Sequence, residues 1–200
     1  QLFDSFVSPI LNYGSELWCK SKEILCIERV QLKFIKYLLG VKPSTCSLAV
    51  LGEVGRLPIM TSQHIKILKY WIRLLQIDDS KLVKKAFLTQ RSLFDAGYLT
   101  WVSKIEDISS LYNLDDHFDM SHINVMNHVK FIEDCKEIMY NKFIEKWKSD
   151  LNDFPILRCY KLFKQDFIIE KYLLCIRDYK IRKCLTQLRL SSHKLRIETE

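Results

Sequence analysis

The sequence predicts an all-α fold, an irregular array of many helices. Glycine and proline number only five and four in 200 residues, too few for the turns of a β-rich fold. Hydrophobic residues make up 48% and charged residues 28%, the proportions of a chain with a packed core. Apolar residues also recur at three- and four-residue steps over residues 24–39 and 129–147, the period of an amphipathic helix.

Phe3, Phe6, Val7, Ile10, Leu11, Leu17 and Trp18 predict helix over the first 20 residues, interrupted at Pro9. The next helix carries the stripe Ile27, Val30, Phe34 and Leu38, and Gly40 is placed to end it in a left-handed conformation. Ser44 or Thr45 is expected to cap a short helix through Val50 that stops near Gly52 or Gly55. Pro58 suits the first turn of a long helix to about Ile77, with Ile65, Leu68, Trp71 or Ile72, and Leu75 as its seam. Ser80 is expected to cap a helix that Gly97 terminates, and Thr100 to open another through about Leu111. Residues 112–127, with Asn113, Asp115, Asp116, His117 and Asp119, have the composition of a loop. A helix over about 128–151 carries Val129, Ile132, Met139, Phe143 and Trp147 on one stripe, and short basic helices follow Pro155.

Charge divides the chain into three. Residues 1–100 carry 14 Lys/Arg against 8 Asp/Glu, a net of +6. Residues 101–157 carry 6 against 11, a net of −5, and residues 158–196 carry 11 against 3, a net of +8. Basic flanks around an acidic middle suit a chain whose ends meet a polyanion. Three cationic rows follow helical spacing: Arg29, Lys33 and Lys36; Lys66, Lys69 and Arg73; and Arg177, Lys180, Lys183 and Arg189, the last with Tyr179 interleaved. Such rows can follow a phosphate backbone, and tyrosines among them can stack on unpaired bases.

No pattern for catalysis accompanies these rows. Asp78–Asp79 closes a helix and Asp115–Asp116 lies in a polar loop, whereas two-metal polymerase chemistry needs a hairpin-borne pair with a third carboxylate. His117, His122, His128, Asp119 and Cys135 match no metal-ligand spacing. No P-loop, nucleophile elbow or dinucleotide fingerprint occurs, so no enzyme activity and no cofactor are expected. The seven cysteines are odd in number and include no C-x-x-C pair, which fits thiols in a reducing compartment. No stretch reaches the roughly 20 apolar residues of a membrane span. The opening Gln-Leu-Phe-Asp has no initiator Met or signal sequence, so a piece of a longer intracellular protein is expected, in the cytoplasm and nucleus.

Ser8-Pro9-Ile10-Leu11-Asn12-Tyr13-Gly14-Ser15-Glu16-Leu17-Trp18 resembles the stretch that follows the polymerase core in LINE-type, non-LTR retrotransposon reverse transcriptases. The likeness continues through Ile27–Lys36, Leu38–Val41, Ser44–Thr45, Gly52–Pro58 and Lys69–Trp71. Near the end, Leu188–Glu198 resembles the block that leads into the family's zinc-knuckle-like module. The likeness is dense over residues 5–77 and 170–198 and thin from about 100 to 150.

The resemblance implies a thumb-like helical region over 1–97, an acidic helical connector over 98–157, and a basic helical segment over 158–200 leading towards that module. The RNA-directed DNA polymerase signature would lie upstream of Gln1. The expected function is therefore non-catalytic: a helical accessory region that positions RNA or an RNA–DNA hybrid through phosphate contacts, beside the polymerase core of the same polyprotein. The alternative is a stand-alone helical adaptor, or decayed retroelement remnant, whose Trp18, Trp71, Trp101 and Trp147 serve only core or protein contacts.

Overall fold

A computed structural model describes residues 3–18, 21–114 and 128–193, except for the side chains of 21–24. Among these residues there are eleven α-helices and no strand. A π-helical turn at Phe3–Val7 leads into α1 (Ser8–Leu11) and α2 (Ser15–Trp18). Then come α3 (Ser21–Leu39), α4 (Ser47–Val54), α5 (Ile59–Gln76), α6 (Leu82–Asp95), α7 (Ser103–Tyr112) and α8 (His128–Asn152). A 3-10 turn at Pro155–Leu157 precedes α9 (Arg158–Phe163), α10 (Lys171–Cys175) and α11 (Tyr179–Arg189). No helix of the described residues is long and apolar enough to cross a membrane.

The chain folds into two compact units, each made of two separate stretches. One comprises Gln1–Lys20 and Met60–Lys142, the other Ser21–Ile59 and Phe143–Glu200. The bounds of these units do not coincide with the changes of net charge at residues 100 and 157.

In the first unit α5 is the central helix. Ile67, Leu68, Trp71, Ile72 and Leu74 are buried, whereas the expected seam residues Ile65 and Leu75 are only half-buried. So wide an apolar arc marks a helix covered on several sides. Phe87 of α6, Ile105 and Ile108 of α7, and Phe131, Cys135 and Met139 of α8 complete this core. Val129, expected on the α8 stripe, is 67% exposed; Phe131 and Cys135 are buried instead. Lys84 turns inward, and its Nζ donates to the carbonyls of Leu74 and Leu75 at 3.0 and 2.8 Å. It thereby satisfies acceptors that the last turn of α5 leaves open.

Two capping expectations and one break change. Ser80 does not cap α6, which starts beyond Lys81 without a side-chain cap; Ser80 instead donates its N–H to Asp78 Oδ1 at 2.8 Å. Pro9 lies in the first turn of α1, where its missing N–H costs nothing, and the break comes later, at Asn12 and Gly14. Neither Ser44 nor Thr45 caps α4: Cys46 takes the cap position with no side-chain bond, and Thr45 Oγ1 instead reaches Ser192 Oγ at 3.0 Å.

In the second unit α4 is the hub. Ala49, Val50, Leu51, Gly52 and Glu53 are all buried. Around them pack Ile35 and Leu39 of α3, Trp147 and Leu151 of α8, Leu157, Tyr160 of α9, Phe167 and Leu190. Trp147 Nε1 donates to Leu48 O at 2.9 Å and Tyr160 Oη to Ala49 O at 3.0 Å, so both large side chains bury their polar ends satisfied. Phe167 meets Phe143 and Trp147 edge to face, at 5.2 and 5.1 Å between centroids.

This close approach depends on Gly52. A Cβ there would lie 2.5 Å from Trp147 Cζ2 and 2.8 Å from Tyr160 Oη. Gly55 ends α4 with φ of +59°, and a Cβ would strike the backbone of Ile168 and Ile169.

Gly52→Ala should therefore lower stability by about 1–3 kcal/mol or more through overpacking, read as a lower urea midpoint. A second expectation concerns His64, buried in the first unit with Nδ1 3.2 Å from Tyr112 Oη. Burial lowers its pKa from 6.5 to about 4. The folded state resists this proton, so the contribution is complete above about pH 6.5 and lost as pH falls towards 4, roughly 3 kcal/mol in all. Urea unfolding of His64→Gln should show that part of the acid limb flattened.

Candidate functional site

The first cationic row lies on α3. With Ile35 facing the core, Arg29 and Lys33 fall on the opposite side of the helix and are exposed. Lys36 is half-buried, and its Nζ donates to Pro43 O at 2.8 Å. Partial burial lowers the Lys36 pKa, against an opposing effect of Cys46. Arg29, Lys33 and Lys36 together line one groove of about 480 Å³ with Leu32, Tyr37, Val41, Pro43 and Ser47.

The groove has this shape because α3 stops abruptly. Gly40, with φ of +67°, allows Val41 N–H to reach back to Lys36 O at 3.1 Å, which turns Val41 and Pro43 under the last turn.

The face that α3 buries is not the expected stripe. Gln31, Ile35 and Leu39 are buried, whereas Val30 and Leu38 are 45% and 53% exposed and Ile27 and Phe34 only half-buried. Gln31 can lie inside because its polar atoms are satisfied there. Its Nε2 donates to Leu57 O at 3.1 Å and its Oε1 accepts from Arg56 Nε at 2.9 Å, so a polar residue holds the centre of the buried arc at little cost.

The second row lies in the other unit and is not a continuous cationic face. Lys66 Nζ donates to Asn12 O at 2.9 Å. Lys69 lines a pocket of about 280 Å³ with His128, Lys136, Glu133 and apolar residues of α5 and α8. Arg73 is exposed.

The third row splits as well. Arg177 and Lys180 are exposed, and Asp178 caps α11 by accepting the N–H groups of Lys180 and Ile181 at 2.7 and 3.1 Å. The stem of Lys183 lies over Gly40, and Gln187 Nε2 donates to Gly40 O at 2.6 Å, so α11 is seated at the C-terminal end of α3. None of these α11 residues lines the α3 groove.

Arg189 is turned inward, contrary to its expected place among surface cations. Its Nε donates to Glu53 Oε1 at 2.6 Å and its Nη2 to Glu170 Oε2 at 3.0 Å. The guanidinium also lies 4.6 Å from the centroid of the Phe163 ring. Burial opposes its charge, but the hydrogen bond to Glu53 and the Glu53 and Glu170 charges outweigh burial and raise its pKa. Lys164 Nζ donates to Glu170 Oε1 and to Ile168 O, both at 2.6 Å, and Tyr172 Oη to Glu53 Oε1 at 2.7 Å. The signal in the sequence that could have revealed this cluster is Glu53, a lone carboxylate inside the apolar run from Leu48 to Val54.

Asp78 and Asp79 are both exposed in the turn after α5. Asp115, Asp116, His117, Asp119 and His122 lie outside the described residues. Among the described residues, no three His, Cys, Asp or Glu side chains are grouped to hold a metal ion. The thiols of Cys26, Cys46, Cys135, Cys159, Cys175 and Cys184 are free, and burial pushes that of Cys135 up to about 11. Comparison with protein-family models, with curated proteins and with solved structures found no match to this chain.

The two kinds of cation should separate in a stability measurement. Arg189→Met leaves Glu53 buried without its main partner and should cost about 3–5 kcal/mol. Lys33→Met changes an exposed position and should shift stability by no more than about 0.5 kcal/mol. Urea midpoints of the two variants provide the comparison.

Proposed function

We propose that the chain is a non-catalytic helical accessory region of a LINE-type retrotransposon reverse transcriptase, one that positions RNA or an RNA–DNA hybrid through phosphate contacts. The observation that carries this reading is the convergence of Arg29, Lys33 and Lys36 on one groove. Three cations on one wall attract a polyanion more strongly than the same charges scattered. The net charge of +7 and the exposed Arg177 and Lys180 of the same unit add to that attraction. The likeness of residues 5–77 and 170–198 to the region beyond a polymerase core supplies the family and the partner, the upstream core of the same polyprotein. The mechanism is electrostatic positioning, with no bond made or broken by this chain. Arg189 is withdrawn from the contact set, because both its carboxylate partners are internal.

A second reading, a protein-protein adaptor, draws on a different observation. Phe6, Ile10, Tyr13 and Leu17 recur at helical steps and are 67%, 75%, 84% and 57% exposed. Four large apolar side chains exposed within one short segment are costly to leave in water and commonly mark a contact surface.

The test is binding of a labelled RNA–DNA hybrid across a salt series. Each phosphate neutralised contributes about −0.9 to the slope of log K against log salt on a duplex. Changing Arg29, Lys33 and Lys36 to Ala should weaken binding to all sequences alike and flatten the slope by roughly 2–3. Undetectable binding of both the hybrid and single-stranded RNA at low salt, or an unchanged slope in the triple variant, would remove the nucleic-acid reading and leave the adaptor.

A further inference from the structure

We infer that the α3 groove takes a single strand, holding one unpaired base against Tyr37 while the flanking phosphates lie on Arg29 and Lys33. This rests on the nucleic-acid reading and narrows it to a substrate class. Its first support is composition. Beside the cations, the groove is lined by Leu32, Tyr37, Val41 and Pro43. A continuous phosphate backbone gains nothing from an apolar lining, whereas a base with its face exposed gains stacking and dispersion from it.

Tyr37 is the second support. It is 80% exposed, on a helix whose opposite face is fully packed, so its ring serves neither core of this chain. It is one helical turn from Lys33, and Lys33 is one turn from Arg29. The three side chains therefore present cation, cation and aromatic at steps of about 6 Å along one face. Phosphate-tracking cations interleaved with an aromatic platform are the physical requirements of single-strand binding.

The third support is the shape of the wall. Lys36 Nζ donates to Pro43 O, which links the loop after Gly40 to α3, and the groove lined by both holds about 480 Å³. That is the size range of small-molecule sites, with room for a base. In an A-form duplex the bases are paired and stacked, so they cannot enter such a groove. An acidic peptide would satisfy the cations but would not require the ring.

The experiment uses the full chain and three labelled probes: oligouridylate, a blunt RNA duplex of equal phosphate count, and an oligoglutamate of similar charge. Fluorescence anisotropy gives each Kd for wild type, Tyr37→Ala, Tyr37→Phe, and the double variant Arg29→Ala with Lys33→Ala. Tyr37→Ala should weaken oligouridylate about 5- to 150-fold, the range one stacked base supplies, and leave the duplex within about twofold. Tyr37→Phe should bind oligouridylate as wild type does, because stacking needs the ring and not the hydroxyl. The double variant should weaken both nucleic acids. Oligouridylate binding indifferent to Tyr37 but sensitive to the double change overturns the single-strand inference alone. Oligoglutamate binding as tight as oligouridylate also overturns it. Wild-type failure to bind either nucleic acid brings down the nucleic-acid reading itself.

Discussion

Glu53 is the residue on which one half of this protein depends. Its side chain has no exposure to water, and an unpaired carboxylate in that position would cost several kcal/mol. The charge is held by Arg189 and by the Tyr172 hydroxyl, and Arg189 in turn meets Glu170, which Lys164 neutralises. Two anions and two cations thus close a balanced set. The set joins α4, the segment after α9, the start of α10 and the end of α11. Glu170 N–H also donates to Glu53 O at 3.0 Å, so backbone and side chain enforce the same register. Short helices such as α9 and α10, of six and five residues, have little stability of their own. They are ordered here by what they bury and by this network.

The same network decides which cations face outward. Lys164 and Arg189 are consumed by internal carboxylates, and Lys84 by the carbonyls that end α5. Arg29 and Lys33 have no such task and stand on the side of α3 away from Ile35. A count of Lys and Arg by sequence cannot make this distinction, since Arg189 and Arg177 belong to equally basic surroundings. The separation depends on long-range partners: Glu53 lies 136 residues from Arg189.

What the sequence revealed follows from the range of the forces involved. The helical class, the end of α3 at Gly40, the long helix after Pro58 and the helix from His128 are local consequences of periodicity and backbone freedom, and they were legible. The facing of α3 was not. Ile27, Val30, Phe34 and Leu38 do form a stripe, but it lies mostly outward, and the buried face instead carries Ile35, Leu39 and Gln31, whose side chain is hydrogen-bonded inside. Val129 failed in the same manner, with Phe131 taking the interior. The two units are each assembled from distant stretches, so no break in composition announces them. Of the candidate site, the row on α3 could be read from spacing alone. Its groove could not, because Val41, Pro43 and Ser47 reach it only through the turn that Gly40 permits.

Cations of this chain divide into those that hold the fold, such as Lys164, Lys84 and Arg189, and exposed ones such as Lys33, which we propose meet a polyanion. Amine-reactive footprinting read by mass spectrometry, with and without bound oligonucleotide, tests that division residue by residue. Lys164 and Lys84 should resist modification in both states, and Lys33 should be modified readily in the free protein and protected in the complex. Lys33 labelled equally with and without nucleic acid, or Lys164 labelled as fast as Lys33 in the free protein, would contradict it.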